Sequence, residues 1–303
     1  MYLVNKPVFR LVRFRIFNRN FTSGTHPFQN YSVFKIDSIL KQYPKVNAQY
    51  TIILGAEGEL GRAIAREVAR KGCNLIIVST TSVDLQRFAI GLQLKEDVQV
   101  EAVKLDLSDR EAIQEFTGRV KSDFEIRALV NNIACDWSAR HNNYIAELSI
   151  EDFQTRFRGA ALITWNLLPE MAKLSSSYIQ HIIPFPFRKE QFSPDMQHAV
   201  SKMYAFAREL DEELKNTAVS VSLVHPAPVR QMVHQLELPR DISEEPGAIT
   251  PGLIALKAVN GMLRGDRLII PGFWNRVQFF LTRQATSWFR SDEEGFGSNL
   301  QPV

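Results

Sequence analysis

The chain has 303 residues, of which 45% are hydrophobic and 23% are charged, and its formal net charge is +3. This is an ordinary globular composition with enough apolar mass for one large core. Two cysteines exclude a disulfide framework and favour a reducing compartment. No uninterrupted apolar run approaches the ~18 residues of a membrane-spanning helix, so we expect none.

The N-terminal segment differs in charge from the rest of the chain. Residues 1–36 contain six basic residues and no acid, which leaves 30 basic and 33 acidic residues, a charge of −3, in the remainder. A basic segment with interspersed phenylalanines and no continuous apolar region is typical of a mitochondrial transit peptide.

The stretch RNFTS at 19–23 resembles a matrix-protease site cut after Phe21. We therefore expect a transit peptide over 1–21, an N-terminal extension over 22–48, and a location in the mitochondrial matrix or on the matrix side of the inner membrane. The alternative is a cytoplasmic protein whose basic arm contacts an anionic partner or a membrane surface. Because the remainder is slightly acidic, we expect no nucleic-acid partner.

From residue 50 onward, short apolar runs alternate with helical patterns. Strands are predicted at 50–54, 74–79, 98–106, 126–132, 178–183, 219–226 and 267–270. Helices are predicted at 61–71, 83–93, 109–121, 150–173, 195–215 and 249–264. Strands that alternate with helices predict an α/β fold: a parallel sheet with helices on both faces, here in a single domain over 49–272.

A glycine-rich turn joins the first predicted strand to the first predicted helix. Its sequence, GAEGELG, places Gly55, Gly58 and Gly61 three residues apart. Such a turn needs glycine for its backbone angles and so that backbone N–H groups can approach a phosphate. The context of strand and helix predicts a dinucleotide-binding site, and a tight turn without a ligand is the alternative.

In combination, these and later motifs resemble the short-chain dehydrogenase/reductase family over about residues 49–280. The opening LGAEGELGRAIA has the glycine spacing of the family's extended branch, and Glu59 would occupy the middle glycine of the classical spacing. Four later stretches resemble classical members: KLDLSD, LVNNIA, HPAPVRQM and IIPGFWNRV, the last similar to the carboxyl end of membrane-associated or lipid-directed reductases. The resemblance implies a Rossmann-type doubly wound sheet and an NAD(P)(H) cofactor.

The resemblance also implies which residues bind the cofactor. They are Gly55, Glu57, Gly58, Leu60, Gly61, Ser79, Thr80, Asp106, Leu107, Asn131, Asn132, Ile133, Lys202 and Pro226. The second strand ends at Ser79 and Thr80 without the acid that would accept the adenine ribose hydroxyls and select NAD. Because hydroxyl groups can bind a 2′-phosphate, NADP(H) is slightly favoured over NAD(H), although Glu57 and Glu59 oppose an added anion.

The family's catalytic set is largely missing. The resemblance implies a tyrosine, a lysine four residues later, a serine, and an asparagine on the preceding long helix. In QHAVSK, Lys202 matches the lysine and His198 occupies the tyrosine position. Residues 183–185, Ile-Pro-Phe, stand where the serine is expected, and Arg156 stands at the asparagine position. Tyr204 lies too far around the helix to replace His198.

Two functions remain open. In the first, the protein binds the cofactor without classical catalysis and serves as an accessory or structural subunit, as some relatives do in respiratory assemblies. In the second, it is an NADP(H)-dependent oxidoreductase acting on a carbonyl or alcohol, a lipid included, with His198 as the acid. Histidine can donate a proton near neutral pH, but imidazole is shorter than phenol. We expect no metal site, and we expect His181 and Cys135 to be buried structural residues.

The C-terminal segment, 273–303, begins with an amphipathic pattern. Apolar residues occur at helical spacing, and Arg276, Arg283 and Arg290 recur every seven residues. The pattern predicts a helix that docks on a protein partner or a membrane surface through 273–290. A helix in a homodimer interface or a substrate lid is the alternative.

Overall fold

Within the residues that the computed structural model describes (49–80, 84–133, 149–183, 194–226 and 249–285), seven strands form one sheet. The strands are β1 Gln49–Leu54, β2 Asn74–Ser79, β3 Val100–Lys104, β4 Glu125–Asn131, β5 Ser177–Ile182, β6 Val219–Val224 and β7 Leu268–Ile269. The helices in the same ranges are α1 Glu59–Arg70, α2 Leu85–Glu96, α3 Arg110–Asp123, α4 Ile150–Met171, α5 Pro194–Leu214, α6 Pro251–Arg264 and α7 Phe273–Ala285.

All neighbouring strands are parallel, and their order is β3-β2-β1-β4-β5-β6-β7. The chain adds strands in one direction up to β3 and then returns to the other side of β1 with β4. In sheets of this kind, ligands bind outside the carboxyl ends of the strands at this switch point. The fold therefore places a candidate site where the loops after β1 and β4 meet.

Helices cover both faces of the sheet, and each face has its own core. Side chains alternate along a strand, so Ile52 and Leu54 pack with α3, α4 and α5, whereas Ile53 packs with α1, α2 and α6. All three residues are fully buried. This arrangement explains why the strands appear in the sequence as continuous apolar runs, and it confirms the predicted doubly wound α/β fold.

Among the described residues, three helices begin at side-chain caps. Asp109 accepts hydrogen bonds from the backbone N–H groups of Glu111 and Ala112 at 2.9 and 3.0 Å, before α3. Ser149 accepts from Asp152 N at 3.0 Å before α4, and Thr250 stands before α6, whose first residue is proline. Each cap satisfies a backbone donor that the helix itself cannot, and contributes about 1 kcal/mol to stability.

The predicted elements are confirmed, with differences at their ends. The third strand, predicted over 98–106, covers only Val100–Lys104 because the chain turns at Asp106, whose carboxylate accepts from Ser108 N at 2.8 Å. The first helix starts at Glu59, two residues earlier than predicted. The transit peptide and the extension lie outside the described residues and stay predictions.

The described ranges contain neither a membrane-spanning helix nor a metal-binding cluster. No helix there is both long and apolar enough to cross a membrane. Nor does any group of three or more histidine, cysteine, aspartate or glutamate side chains come together there in a way that could hold a metal ion.

Candidate functional site

The turn between β1 and α1 requires glycine at two positions. Gly55 has φ +74°, and a Cβ there would lie 2.2 Å from the backbone oxygen of Asn132. A Cβ at Gly61 would lie 2.1 Å from the backbone oxygen of Gly55. At Gly55 the turn lies too close to the backbone after β4, and at Gly61 helix α1 lies too close to the turn, to admit any side chain.

The N-terminus of α1 opens from this turn. Its N-cap is Gly58, and no side chain accepts a hydrogen bond from the first N–H groups of the helix. Unpaired N–H groups and the positive end of the helix dipole make such a terminus suitable for a phosphate. This is the position at which the sequence predicted a dinucleotide pyrophosphate.

The two asparagines after β4 have different roles. Asn132 holds the glycine turn, because its Nδ2 donates to Gly55 O at 2.9 Å. The Asn131 side chain is buried on the opposite side, where its Nδ2 donates to Thr164 Oγ1 at 3.2 Å and lies 3.2 Å from His181 Nδ1. Asn132 thus contacts the predicted phosphate loop, and Asn131 ties β4 to β5 and α4.

A carboxylate from the glycine turn lies beside the end of β2. Glu57 Oε1 accepts from Thr80 Oγ1 at 3.4 Å and lies 3.8 Å from Arg156 Nη1, on α4. The Glu57 and Arg156 side chains are only 16% and 23% exposed, and Glu57 Oε2 is buried without a hydrogen-bond partner. Sequence reasoning treated Arg156 only as a lost asparagine and missed its contact with the turn.

The other predicted cofactor residues lie along the same edge. Asp106 is exposed after β3, and hydrogen bonds from the Ser108 hydroxyl and backbone N–H hold the pKa of its carboxyl below the usual value. Ser79 is buried, and its backbone oxygen accepts from Leu105 N at 2.9 Å, which joins the ends of β2 and β3. Four others are buried among the ends of the strands and the turn, so their side chains serve mainly in packing: Leu60, Leu107, Ile133 and Pro226.

His198 and Lys202 are both exposed on α5, one turn apart on the same face. At the predicted serine position, Ile183 is fully buried and carries no polar side-chain atom, while Pro184 and Phe185 lie outside the described residues. The structure thus presents one histidine and one lysine where the family resemblance implies a tyrosine and a lysine, and it shows no hydroxyl group at Ile183.

Tyr204 points away from this face. Its hydroxyl lies 2.8 Å from His225 Nε2, and His225 Nδ1 lies 3.0 Å from Ile183 O. Burial raises the pKa of Tyr204 well above its usual value, which makes it a poor acid. The Tyr204 hydroxyl is therefore engaged with His225 at the end of β6.

The buried histidine at 181 also has a structural role, as predicted. His181 is 3% exposed, its ring lies edge-on to Phe206 at 5.6 Å, and burial lowers its pKa to about 4. It is therefore neutral at physiological pH and serves as a partner for Asn131. Cys135, the other residue expected to be buried, lies outside the described residues.

Sequence comparison identifies the family. The sequence model of the short chain dehydrogenase family matches residues 49–239, more than half of the chain. The chain belongs to the short-chain dehydrogenase family. Over 187 residues it is 27% identical to the Drosophila melanogaster protein named dehydrogenase/reductase SDR family protein 7-like, and the match covers 59% of this chain but only 56% of that relative.

Solved structures share the fold. The bulky-bulky ketone specific alcohol dehydrogenase from Comamonas testosteroni superposes with a TM-score of 0.63 at 21% identity, covering 84% of this chain and 98% of that one. A short-chain dehydrogenase from Sphingobium yanoikuyae, in complex with NADPH, superposes with a TM-score of 0.60 at 20% identity, with the same coverage of both chains.

The residues present fit a dinucleotide, with one departure from the usual pattern. The glycine turn that excludes any Cβ, the open helix N-terminus and the Thr80 hydroxyl suit a bound dinucleotide. The departure is the Glu57 carboxylate, an anion beside the place where an anion is expected, and its neighbour Arg156 offsets its charge.

Proposed function

We propose that this short-chain dehydrogenase family member binds NAD(P)(H) at the carboxyl edge of its sheet without classical catalysis and acts as an accessory or structural subunit. One observation carries the proposal. Arg156, at the position where the family resemblance implies an asparagine that relays protons, is instead paired with Glu57 of the glycine turn. The side chain at this position therefore contacts the cofactor-binding part of the site instead of serving in proton transfer.

The binding half of the site is well supported. The α1 N-terminus would hold the pyrophosphate, Asn132 would keep the turn in place, Asp106 would border the adenine, and Lys202 would hold the nicotinamide ribose. Thr80 and Arg156 are hydrogen-bond donors near the end of β2, which keeps NADP(H) slightly favoured. When bound, the nicotinamide supplies hydride chemistry, which by itself transfers no proton.

The proton-transfer half is incomplete. Reduction of a carbonyl needs a donor to the developing alkoxide, and Ile183 offers no donor where the serine is expected. Lys202 remains, but a lysine positions the ribose and needs a second group as acid. The alternative function gives that role to His198, whose exposure leaves it accessible to a substrate.

A turnover assay separates the two functions. Purified wild type, His198→Ala and Ser201→Ala would be tested with NADPH and NADH against a broad panel of ketones, aldehydes and acyl substrates, and in the oxidative direction with alcohols. We expect no turnover by wild type and unchanged cofactor binding in His198→Ala. Robust NADPH consumption that falls ~10²–10⁴-fold in His198→Ala but not in the control Ser201→Ala would contradict the proposal and make His198 the acid.

An accessory role requires a contact surface, and α7 provides one. One side of the helix is anchored to the domain: Phe279 is buried against His225, with ring centroids 5.2 Å apart, and Asn275 is 1% exposed. Phe273, Trp274 and Leu281 are 67%, 69% and 68% exposed. At 3.6 residues per turn, these three fall within one arc on the side that the domain leaves open.

We propose that this arc docks on an anionic membrane surface, on the matrix side of the inner membrane if the N-terminal segment is a transit peptide. Exposed aromatic and leucine side chains suit the boundary between headgroups and acyl chains. The segment 273–290 contains three arginines and no acid. Each arginine near an anionic surface contributes about 1 kcal/mol, so the charge complements acidic lipids.

Vesicle sedimentation tests this surface. We expect the full chain to pellet with phosphatidylcholine vesicles that contain phosphatidylglycerol, less so without it or at high salt. Trp274→Ser with Leu281→Ser should abolish pelleting, whereas Ile90→Ser with Leu94→Ser, which removes exposed apolar side chains from α2, should not. Absence of binding to acidic vesicles would refute the membrane assignment. Self-association in sedimentation velocity that only the α7 changes remove would also refute it, because it would indicate a homodimer.

A further inference from the structure

We infer that Glu57 and Arg156 together decide between NADP(H) and NAD(H): Arg156 binds the ribose 2′-phosphate, and the Glu57 carboxylate takes the place of that phosphate when it is absent. The inference rests on the proposed cofactor binding and names the residues that determine its specificity. Glu57 comes from the glycine turn, whereas Arg156 comes from α4 and not from the turn or the end of β2.

The location of the pair identifies the part of the cofactor concerned. Thr80 follows the last residue of β2, and in a dinucleotide-binding sheet the adenine ribose is bound at the end of this strand. Glu57 Oε1 lies between two donors, Thr80 Oγ1 at 3.4 Å and Arg156 Nη1 at 3.8 Å. A hydroxyl and a guanidinium that converge on one anionic oxygen form a small anion site.

The carboxylate fills this site poorly. The contact from the Thr80 hydroxyl is longer than the 2.5–3.0 Å of ordinary O–H···O bonds, and the contact from Arg156 is longer than the 2.7–3.2 Å of N–H···O bonds. Oε2 of the same carboxylate is buried without a partner. A phosphate monoester carries a larger charge and three acceptor oxygens, so it can bind the planar guanidinium through two oxygens at once. Exchange of the carboxylate for a 2′-phosphate therefore improves the contacts of Arg156.

NAD(H) would interact with the other member of the pair, Glu57. Its adenine ribose ends in a 2′-hydroxyl, which can donate a hydrogen bond to the unpartnered Glu57 Oε2. Glu57 thus replaces the acid that is missing from the end of β2 and favours NAD(H), while Arg156 favours NADP(H). Because the two charges offset each other, we expect only a modest preference in the wild type.

Titration of wild type and five variants with both cofactors tests this inference. The dissociation constants of NADPH and NADH would be measured by fluorescence for wild type, Arg156→Gln and Glu57→Gln. Arg158→Gln and Glu115→Gln are the matched controls, since both side chains are exposed, neither belongs to the proposed cofactor site, and each change removes the same charge. The measured quantity is the ratio of the NADH constant to the NADPH constant.

We expect the two substitutions to shift this ratio in opposite directions. Arg156→Gln should lower the ratio about tenfold by weakening NADPH binding, and Glu57→Gln should raise it by a similar factor, since one charge-assisted contact is lost or one repulsion relieved. Arg156→Lys, which keeps the positive charge but loses the two-point guanidinium contact, should lower the ratio less than Arg156→Gln does, and it keeps the test usable if Arg156→Gln folds poorly. Both controls should change the ratio less than about threefold.

Two outcomes would show that the inference is wrong, and only the second would also show that the proposed function is wrong. In the first, wild type binds a dinucleotide, but the ratio of dissociation constants is unchanged in Arg156→Gln and Glu57→Gln or changes equally in the controls. The inference is then wrong and the proposed function stands. If wild type binds neither NADPH nor NADH, the proposed function is wrong, and this inference is wrong with it.

Discussion

Two buried histidines should make the folded protein sensitive to mild acid. His181 and His225 are 3% and 0% exposed, and burial lowers the pKa of each to about 4 from the ordinary 6.5. A hydrogen bond from the His225 ring to Ile183 O opposes this shift only in part. Neither ring can take up a proton without either unfolding or a rearrangement of its surroundings.

The sign of this pH dependence follows from which state, folded or unfolded, binds more protons. Between pH 6.5 and 4 the unfolded chain protonates both rings and the folded protein does not, so the free energy of unfolding falls as the pH falls through this window. Above pH 6.5 both states are neutral at these rings and the penalty is absent. At pH 5 each histidine lowers the free energy of unfolding by about 2 kcal/mol, hence about 4 kcal/mol for the two.

Urea unfolding at pH 7.5 and pH 5 measures this loss. His181→Gln and His225→Gln remove one titrating ring each, so each variant should lose about 2 kcal/mol less than wild type between the two pH values, whatever its stability at pH 7.5. His198→Gln is the control, because it makes the same change at an exposed side chain. Equal losses in wild type and in both buried-site variants would refute the reasoning.

Further predictions concern the packing of α4 and the N-terminus. Gly159→Ala places a Cβ 2.4 Å from the backbone oxygen of Leu107, so we expect a loss of about 2 kcal/mol and a melting temperature lower by ~4–8 °C. Gly118→Ala in α3 meets open space and should instead raise the melting temperature slightly, because alanine has the higher helix propensity. N-terminal sequencing of the endogenous protein should find a mature chain that begins near Thr22, and an intact Met1 would count against a cleaved transit peptide.

The sheet could be predicted from the sequence because most of its strands are buried on both faces, although the edge strand β3 is partly exposed. A strand with helices above and below it consists of consecutive apolar residues, as NLIIVS does, and short polar or glycine-rich stretches separate it from the next helix. The glycine turn was predictable for a related reason, since only glycine tolerates the close approach at Gly55 and Gly61. Both signals are local in the sequence.

The ion pair at the site was not predictable, because its two residues lie far apart in the chain. Contact between Glu57 and Arg156 depends on the register of α4 against the sheet, which Gly159 fixes by packing on Leu107. The hydrogen bond between Tyr204 and His225 is likewise a contact between a helix and the end of the strand that follows it. No motif or spacing in the sequence encodes either contact.

The sequence could not distinguish the roles of Asn131 and Asn132, for a different reason. Successive residues at the end of a strand point to opposite sides, so only one of the pair can face the glycine turn. The sequence does not say which one, and the resemblance implied both as cofactor residues. The structure gives the contact with Gly55 to Asn132.

The melting temperature of wild type in saturating NADPH or NADH tests the central claim most directly. A dinucleotide that binds only the folded protein at 100 times its dissociation constant adds about 2.7 kcal/mol, which predicts a rise of ~5–10 °C for a domain of this size. The rise should occur with at least one of the two cofactors and without any turnover. An unchanged melting temperature with both would contradict the account.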